Sequence, residues 1–193
     1  MKFFFLIIFT VSAGIAHAQQ SLSKTTSVYN EDGKLQMSIH YNPSCSCRTY
    51  TEYYPDGKVY AKRIFKVTDK AEYVDGDEVT YYYDGSIKQF RFWKNAVPEG
   101  RAYGNYENGK IEHEGFYHNK CKSGTWKFYN KGGELIREQI YEPGKTAWDS
   151  KAENVTIKFY AAGSLLFTNV YRNGKKIKSS QSDSTTIKRN GKT

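Results

Sequence analysis

Cysteine is the residue type with the widest chemistry open to it in this chain. Cys45 and Cys47 form a CxC pair within Asn42-Pro43-Ser44-Cys45-Ser46-Cys47, and Cys121 stands apart. In an oxidising compartment a disulfide among the three is expected. A Cys45–Cys47 bond would close a very small, strained ring, whereas a bond from either to Cys121 needs Cα atoms within about 7 Å. The pairing therefore stays open, and an odd count leaves one thiol over. The CxC pair would otherwise act as a redox site, but no helix N-terminus or CxxC setting is present to lower a thiol pKa. Thiolate and imidazole together also suit zinc. His113, His118 and Cys121 are close in sequence, and His40 precedes the CxC loop. On a strand His113 and His118 have opposite parity and face opposite sides. The expected reading is surface histidines, with no metal and no cofactor assigned.

The motifs of catalysis do not occur. The chain has no Gly-x-Ser-x-Gly, no His-Glu-x-x-His and no phosphate-binding glycine loop. Asp75, Asp77 and Glu78 cluster around Gly76, where a turn between strands explains them, and nothing selects a carboxylate pair for sugar hydrolysis. The reading is a protein without catalytic residues. The candidate binding residues are aromatic: Tyr81, Tyr82 and Tyr83, then Phe90, Arg91, Phe92 and Trp93, then Tyr103 and Tyr106. Consecutive rings on a strand fall on both sheet faces, so some must meet solvent beside Lys and Arg. Aromatic faces and Arg are favoured at protein interfaces. The competing reading is that these rings only ladder along the sheet, since cross-strand aromatic pairs stabilise sheets by themselves.

The elements that carry these residues are strands. The 193 residues include 17 Tyr and 11 Phe against 4 Pro and 2 Met, a composition suited to pleated, half-buried surfaces. Lys2, the apolar run from Phe3 to Val11 and Ala16-His17-Ala18 read as a secretory signal cut after Ala18, too short for a membrane span. The mature chain, 19 onward, is then expected outside the cytoplasm: periplasmic, on the cell surface or secreted. Its net charge, +9 for the whole sequence, becomes about +8 without Lys2. A basic exported chain can adhere to anionic surfaces, although its Lys and Arg are spread along the sequence. Nucleic acid is not an expected partner in that compartment.

A repeat organises the rest. Tyr29-Asn30-Glu31-Asp32-Gly33-Lys34-Leu35 recurs as Tyr54-Pro55-Asp56-Gly57-Lys58-Val59, Tyr83-Asp84-Gly85-Ser86-Ile87 and Tyr106-Glu107-Asn108-Gly109-Lys110-Ile111. Further copies centre on Gly133, Gly163 and Gly174, giving glycine spacings of 24, 28, 24, 24, 30 and 11 residues. Such a period marks a stacked array. Asp-Gly and Asn-Gly are hairpin turns, with Gly at positive φ and Asp or Asn tolerating the left-handed region. The Tyr before the turn and the aliphatic residue after it are expected to pair across the hairpin. A second glycine (Gly76, Gly100, Gly124) opens the unit. Period-2 alternation puts Trp126 and Phe128 on one face, with Thr125 and Lys127 on the other.

Gly124-Thr-Trp-Lys-Phe-Tyr-x-x-x-Gly-x-Leu, preceded by Tyr106-Glu-Asn-Gly-Lys-Ile-x-x-x-Gly-x-Tyr117, resembles the MORN-repeat-variant family, whose bacterial members often carry an antitoxin-like label. The resemblance is clearest over 81–141. It implies an elongated, single-layer antiparallel sheet of successive β-hairpins, all-β, and brings no common catalytic residues. The expected organisation is a signal at 1–18, a repeat domain over 19–178 with a turn-rich spacer at 143–153, and a disordered tail at 179–193. The expected function is a non-enzymatic protein-binding or scaffold module, with adhesion to an anionic lipid or polysaccharide of the envelope as the alternative.

Overall fold

The computed structural model describes residues 22–142 and 154–182. The expected signal, the spacer at 143–153 and the tail from 183 onward lie outside the described residues. Among the described residues every regular element is a strand, and no helix is long and apolar enough to cross a membrane. The strands are β1 (Lys24–Tyr29), β2 (Leu35–Asn42), β3 (Cys47–Tyr53), β4 (Val59–Val67), β5 (Glu72–Tyr81), β6 (Ile87–Lys94), β7 (Val97–Asn105), β8 (Ile111–His118), β9 (Cys121–Tyr129), β10 (Leu135–Tyr141), β11 (Val155–Ala161), β12 (Ser164–Arg172) and β13 (Lys175–Gln181). They follow chain order in one sheet that starts at β1 and ends at β13 without closing into a barrel. The all-β, hairpin-after-hairpin fold class read from the sequence is the observed one. β13 runs through Gln181, so its last three residues occupy positions that the sequence reading gave to the tail.

By contacts the chain divides into two compact units, Met1–Val97 and Pro98–Thr193. The sequence carries no Pro/Gly/Ser-rich linker there. A repeat array has no single shared core, so a boundary needs no linker.

Five of the repeated glycines build one kind of turn. Gly57 N–H donates to Tyr54 O at 2.9 Å and Tyr54 N–H donates to Lys58 O at 2.7 Å. The same two bonds recur at 30–34, 82–86, 106–110 and 130–134. Gly33, Gly57, Gly85, Gly109 and Gly133 have φ between 75° and 91°. A tight turn followed by a left-handed glycine is the three-residue hairpin with a bulge, which matches the register shifts beside these turns. The expected left-handed Asn is found at Asn173-Gly174, with φ 48° and 70°, but not in these five turns. Instead Asp56, Asp84 and Asn108 accept the amide two residues on, at 3.2, 2.8 and 3.1 Å, an Asx turn that satisfies an otherwise bare N–H. The turns between β6 and β7 and between β8 and β9 differ: Asn95 and Ala96, then Asn119 and Lys120, are both at positive φ, as a two-residue hairpin requires.

The expected Tyr–aliphatic pair is present as Tyr29↔Leu35, Tyr129↔Leu135 and Tyr160↔Leu165. Elsewhere it moves. Val59 pairs with Tyr53, not Tyr54, and Ile87 with Tyr81, not Tyr83. In the five like turns the residue four before the glycine makes the pair: Tyr29 and Tyr129 stand there, whereas Tyr54 and Tyr83 stand three and two before theirs and so fall in the turn. The opening glycines Gly76, Gly100 and Gly124 also sit at positive φ, at 129°, 75° and 63°.

Candidate binding surface

In the second unit the sheet makes a core on one face. Trp126, only 2% exposed, packs with Ala102, Tyr141 and Val155, flanked by Tyr117, Phe128, Ile157 and Tyr171. Thr125 and Lys127 are exposed, as the alternation requires. The described residues form one sheet with no second layer of their own, and Trp126 is buried by lying on a bare position. A Cβ built on Gly115 would stand 2.3 Å from the indole, and one on Gly104 would stand 2.5 Å from the His113 ring. Tyr117 meets Trp126 edge-on at 5.0 Å, and the Lys122 ammonium closes over the indole at 4.7 Å. The indole N–H donates to Phe116 O at 3.0 Å.

The first unit fills the same repeat positions with charge. Counting from the turn glycine, Arg63 stands where Gly115 stands in the second unit, and Glu78 where Trp126 stands. Arg63 bonds Glu78 at 2.8 Å and also Glu52. Its guanidinium is held above its ordinary value, first by the Glu78 hydrogen bond and against the cost of burial. Glu78 also accepts the Trp93 indole N–H at 2.8 Å, and Arg91 lies over the Trp93 ring at 5.6 Å. Beside them Arg48 and Tyr50 both donate to Glu72, at 2.5 and 2.8 Å. Burial, then that bond, raises the Tyr50 pKa.

The candidate aromatics are therefore of several kinds. β6 alternates: Arg91 opposes Glu78, while Phe90 and Phe92 oppose Val79 and Asp77 on the other face. Phe92 is 36% exposed. Tyr81 ends β5, and its carbonyl accepts the Tyr54 hydroxyl at 3.0 Å. Tyr82 opens a turn, with Lys88 at 5.4 Å from its ring. Tyr83 is 54% exposed yet held in place, its hydroxyl donating to Asp56 at 2.7 Å and Lys58 at 3.9 Å over its ring. That hydroxyl bond lowers the Asp56 pKa. Tyr103 and Tyr106 belong to the second unit: Arg101 lies 4.8 Å from the Tyr103 ring, and the Tyr106 hydroxyl donates to Tyr129 O at 2.8 Å. Phe116, 57% exposed on β8, was not among the sequence candidates. Its parity opposite Tyr117 was the available signal.

The cysteines and histidines also separate. Cys45 and Cys47 form a disulfide and Cys121 is a free thiol. The pairing that the sequence leaves open is decided by the hairpin turn, which with Ser46 at φ 48° brings the two Cα atoms to 5.2 Å despite the small ring. His118 bonds Glu99 at 2.8 Å, His40 meets the Thr25 hydroxyl at 3.0 Å, and His113 stacks near Trp126 and Phe128. Among the described residues no three His, Cys, Asp or Glu side chains converge as metal ligands would.

Two turns share one more feature. Tyr54 and Tyr106 both reach from their own turn to the strand end before the next, and Lys58 and Lys110 reach the next turn itself with their ammonium groups, Lys58 over the Tyr83 ring and Lys110 donating to Gly132 O at 2.6 Å. These turns lie in residues 49–66 and 98–119. Both stretches match the MORN repeat variant. The second lies inside 81–141, where the sequence likeness is clearest, and the first lies upstream of it. Both matched stretches contain Tyr-x-Asp/Asn-Gly-Lys-Val/Ile, at 54–59 and 106–111. MORN repeats form a binding-type family, not a known enzyme class. No curated protein matches the chain.

Proposed function

We propose that this chain is an exported, non-enzymatic scaffold that holds a protein partner through rings on its sheet faces. The observation that carries this reading is the pre-set exposure of Tyr83 and Phe92 in the first unit. Tyr83 is fixed by Asp56 and Lys58 while more than half exposed, so ordering it on binding costs little. Neutralising a toxin is one form such binding would take. Export is supported by the signal-like pattern of 1–18, and intact mass of the mature chain tests it: the N-terminus is expected at Gln19.

Arg91 and Trp93 are tied into the Glu78 network, so their replacement would disturb the face as well as any contact. Phe92→Ala and Tyr83→Ala are the cleaner probes. Each is expected to weaken binding to a partner crosslinked in the envelope by about 2 kcal/mol or more where it is an anchor. Lys188→Ala with Lys192→Ala should leave that binding nearly unchanged. One observation favours adhesion to an anionic envelope component: β13 is exposed along its length, with Lys175, Lys176 and Lys178 beside Ile177 at 61% exposure. Binding to anionic vesicles that falls steeply with salt, and that ignores Phe92→Ala, would replace the protein-partner reading.

A further inference from the structure

We propose that the Cys45–Cys47 disulfide is a thiol–disulfide exchange site, which accepts two electrons from an external dithiol, and that Lys66 positions positive charge for the departing thiolate. The bond contributes little to folding. It spans a sequence separation of two residues, and the stabilisation a disulfide gives by limiting the unfolded chain shrinks with the loop it closes. The hairpin it crosses is already held by the backbone. β2 and β3 pair from Met37↔Glu52 to Asn42↔Cys47. In the turn Ser46 N–H donates to Pro43 O at 3.2 Å, Ser44 N–H donates to Asn42 Oδ1 at 3.0 Å, and Ser46 O accepts Val67 N–H at 2.8 Å.

Access and charge supply the other half. Cys45 is exposed in the turn, and Cys47 is half-buried at the start of β3. Lys66 stands opposite Cys47 in the register, and its ammonium donates to the Cys45 carbonyl at 2.6 Å. A cation held beside a cysteine favours the thiolate and so a better leaving group. Glu72, opposite Val67 in the β4–β5 register, is occupied by Arg48 and Tyr50.

The exchange proceeds in two displacements. A substrate thiolate attacks the exposed Cys45 Sγ; a new sulfur–sulfur bond forms and the Cys45–Cys47 bond breaks, its electron pair leaving on the Sγ of Cys47, the residue opposite Lys66. The second substrate thiol, as thiolate, attacks the substrate sulfur of this mixed disulfide and releases Cys45 as thiolate. The substrate dithiol is oxidised to a disulfide, the protein pair is reduced, and the two protons given up by the substrate are taken up by Cys45 and Cys47. A small disulfide such as oxidised glutathione reverses the same steps.

The test uses the full mature chain with Cys121→Ser, so that only the pair is counted. The oxidised protein is equilibrated in reduced and oxidised glutathione at graded ratios, quenched with acid, alkylated and weighed. The pair is expected to reduce and reoxidise reversibly, with far-UV circular dichroism and unfolding temperature unchanged. Lys66→Gln is expected to slow reduction by dithiothreitol about threefold or more, and Lys66→Arg to restore the rate. A pair that stays oxidised until the protein unfolds, or whose reduction lowers the unfolding temperature, would show a structural disulfide and overturn the proposal. A Lys66→Gln rate equal to the parent's would overturn the part given to Lys66.

Discussion

At Trp126 a one-layer sheet obtains a buried residue by pairing the largest side chain with the smallest. The indole lies on Gly115, and a Cβ there would come within 2.3 Å of it. Gly115→Ala should therefore destabilise by about 1–3 kcal/mol through overpacking, and Trp126→Ala by about 3–5 kcal/mol through the cavity it leaves. Thermal or urea unfolding measures both, and an unchanged transition for either would show that the ring is not seated there. Tyr160 gives a pH signature. Burial first, then its 2.6 Å bond to Glu138, pushes its pKa up to about 12. The folded state thus favours the protonated phenol more than the unfolded chain does, whose Tyr titrates near about 10. This stabilisation is fully present below about pH 10 and is lost as pH rises through about 12. Tyr160→Phe should flatten the alkaline fall in unfolding temperature, and an equally steep fall in the variant would remove Tyr160 as a cause.

Among the elements, the turns carry the repeat. Gly109 has φ +78° and nothing within 4 Å of a Cβ placed on it. Its glycine is required by backbone conformation alone, so Gly109→Ala should cost about 1–2 kcal/mol, and Gly109→Asn less, since Asn visits the left-handed region more readily. Equal losses for the two variants would mean that space, not φ, selects the glycine. The Tyr54 and Tyr106 hydroxyls cross to Tyr81 O and Tyr129 O. Tyr54→Phe and Tyr106→Phe should each cost about 0.5–1.5 kcal/mol, the net worth of a hydrogen bond. Denaturant unfolding reads this, and stability equal to the parent would show that the turns do not depend on the link.

For the whole molecule, local stability should follow the packing. Within the second unit, amide hydrogen exchange is expected to be slowest in β9 and β10, around Trp126 and Tyr141, and fastest in β13, every residue of which is exposed. Comparable protection in β13 would mean that a partner or a second copy covers it. Thiol counting under denaturing, non-reducing conditions should find one reactive group, Cys121, with three expected after reduction. The two units use the same repeat positions for different physics, an ion ladder at Glu52, Arg63 and Glu78 and a ring seat at Gly104, Gly115 and Trp126. Both solutions satisfy a sheet face that no second layer of described residues covers.

The residue order alone determined what is local. Gly at a fixed offset after Asp or Asn specifies a hairpin, because only glycine accepts that φ cheaply, and the pleat then assigns Trp126 and Phe128 to one face and Lys127 to the other. The all-β architecture and the presence of rings on both sides of β6 follow from the same two rules. Tertiary structure decided whatever depends on register. The pairing beside the five like turns is not among these: the residue four before the glycine pairs with the residue two after it, so Tyr29 and Tyr129 pair while Tyr54, three before Gly57, enters the turn. Register between β4 and β5 brings Glu78 opposite Arg63, and packing across strands seats Trp126 on Gly115 and leaves Tyr83 exposed against Asp56. The Cys45–Cys47 bond depended on the turn conformation at Ser46, which no count of cysteines contains. Turn and pleat preferences are properties of a few consecutive residues, whereas register is a property of two strands at once.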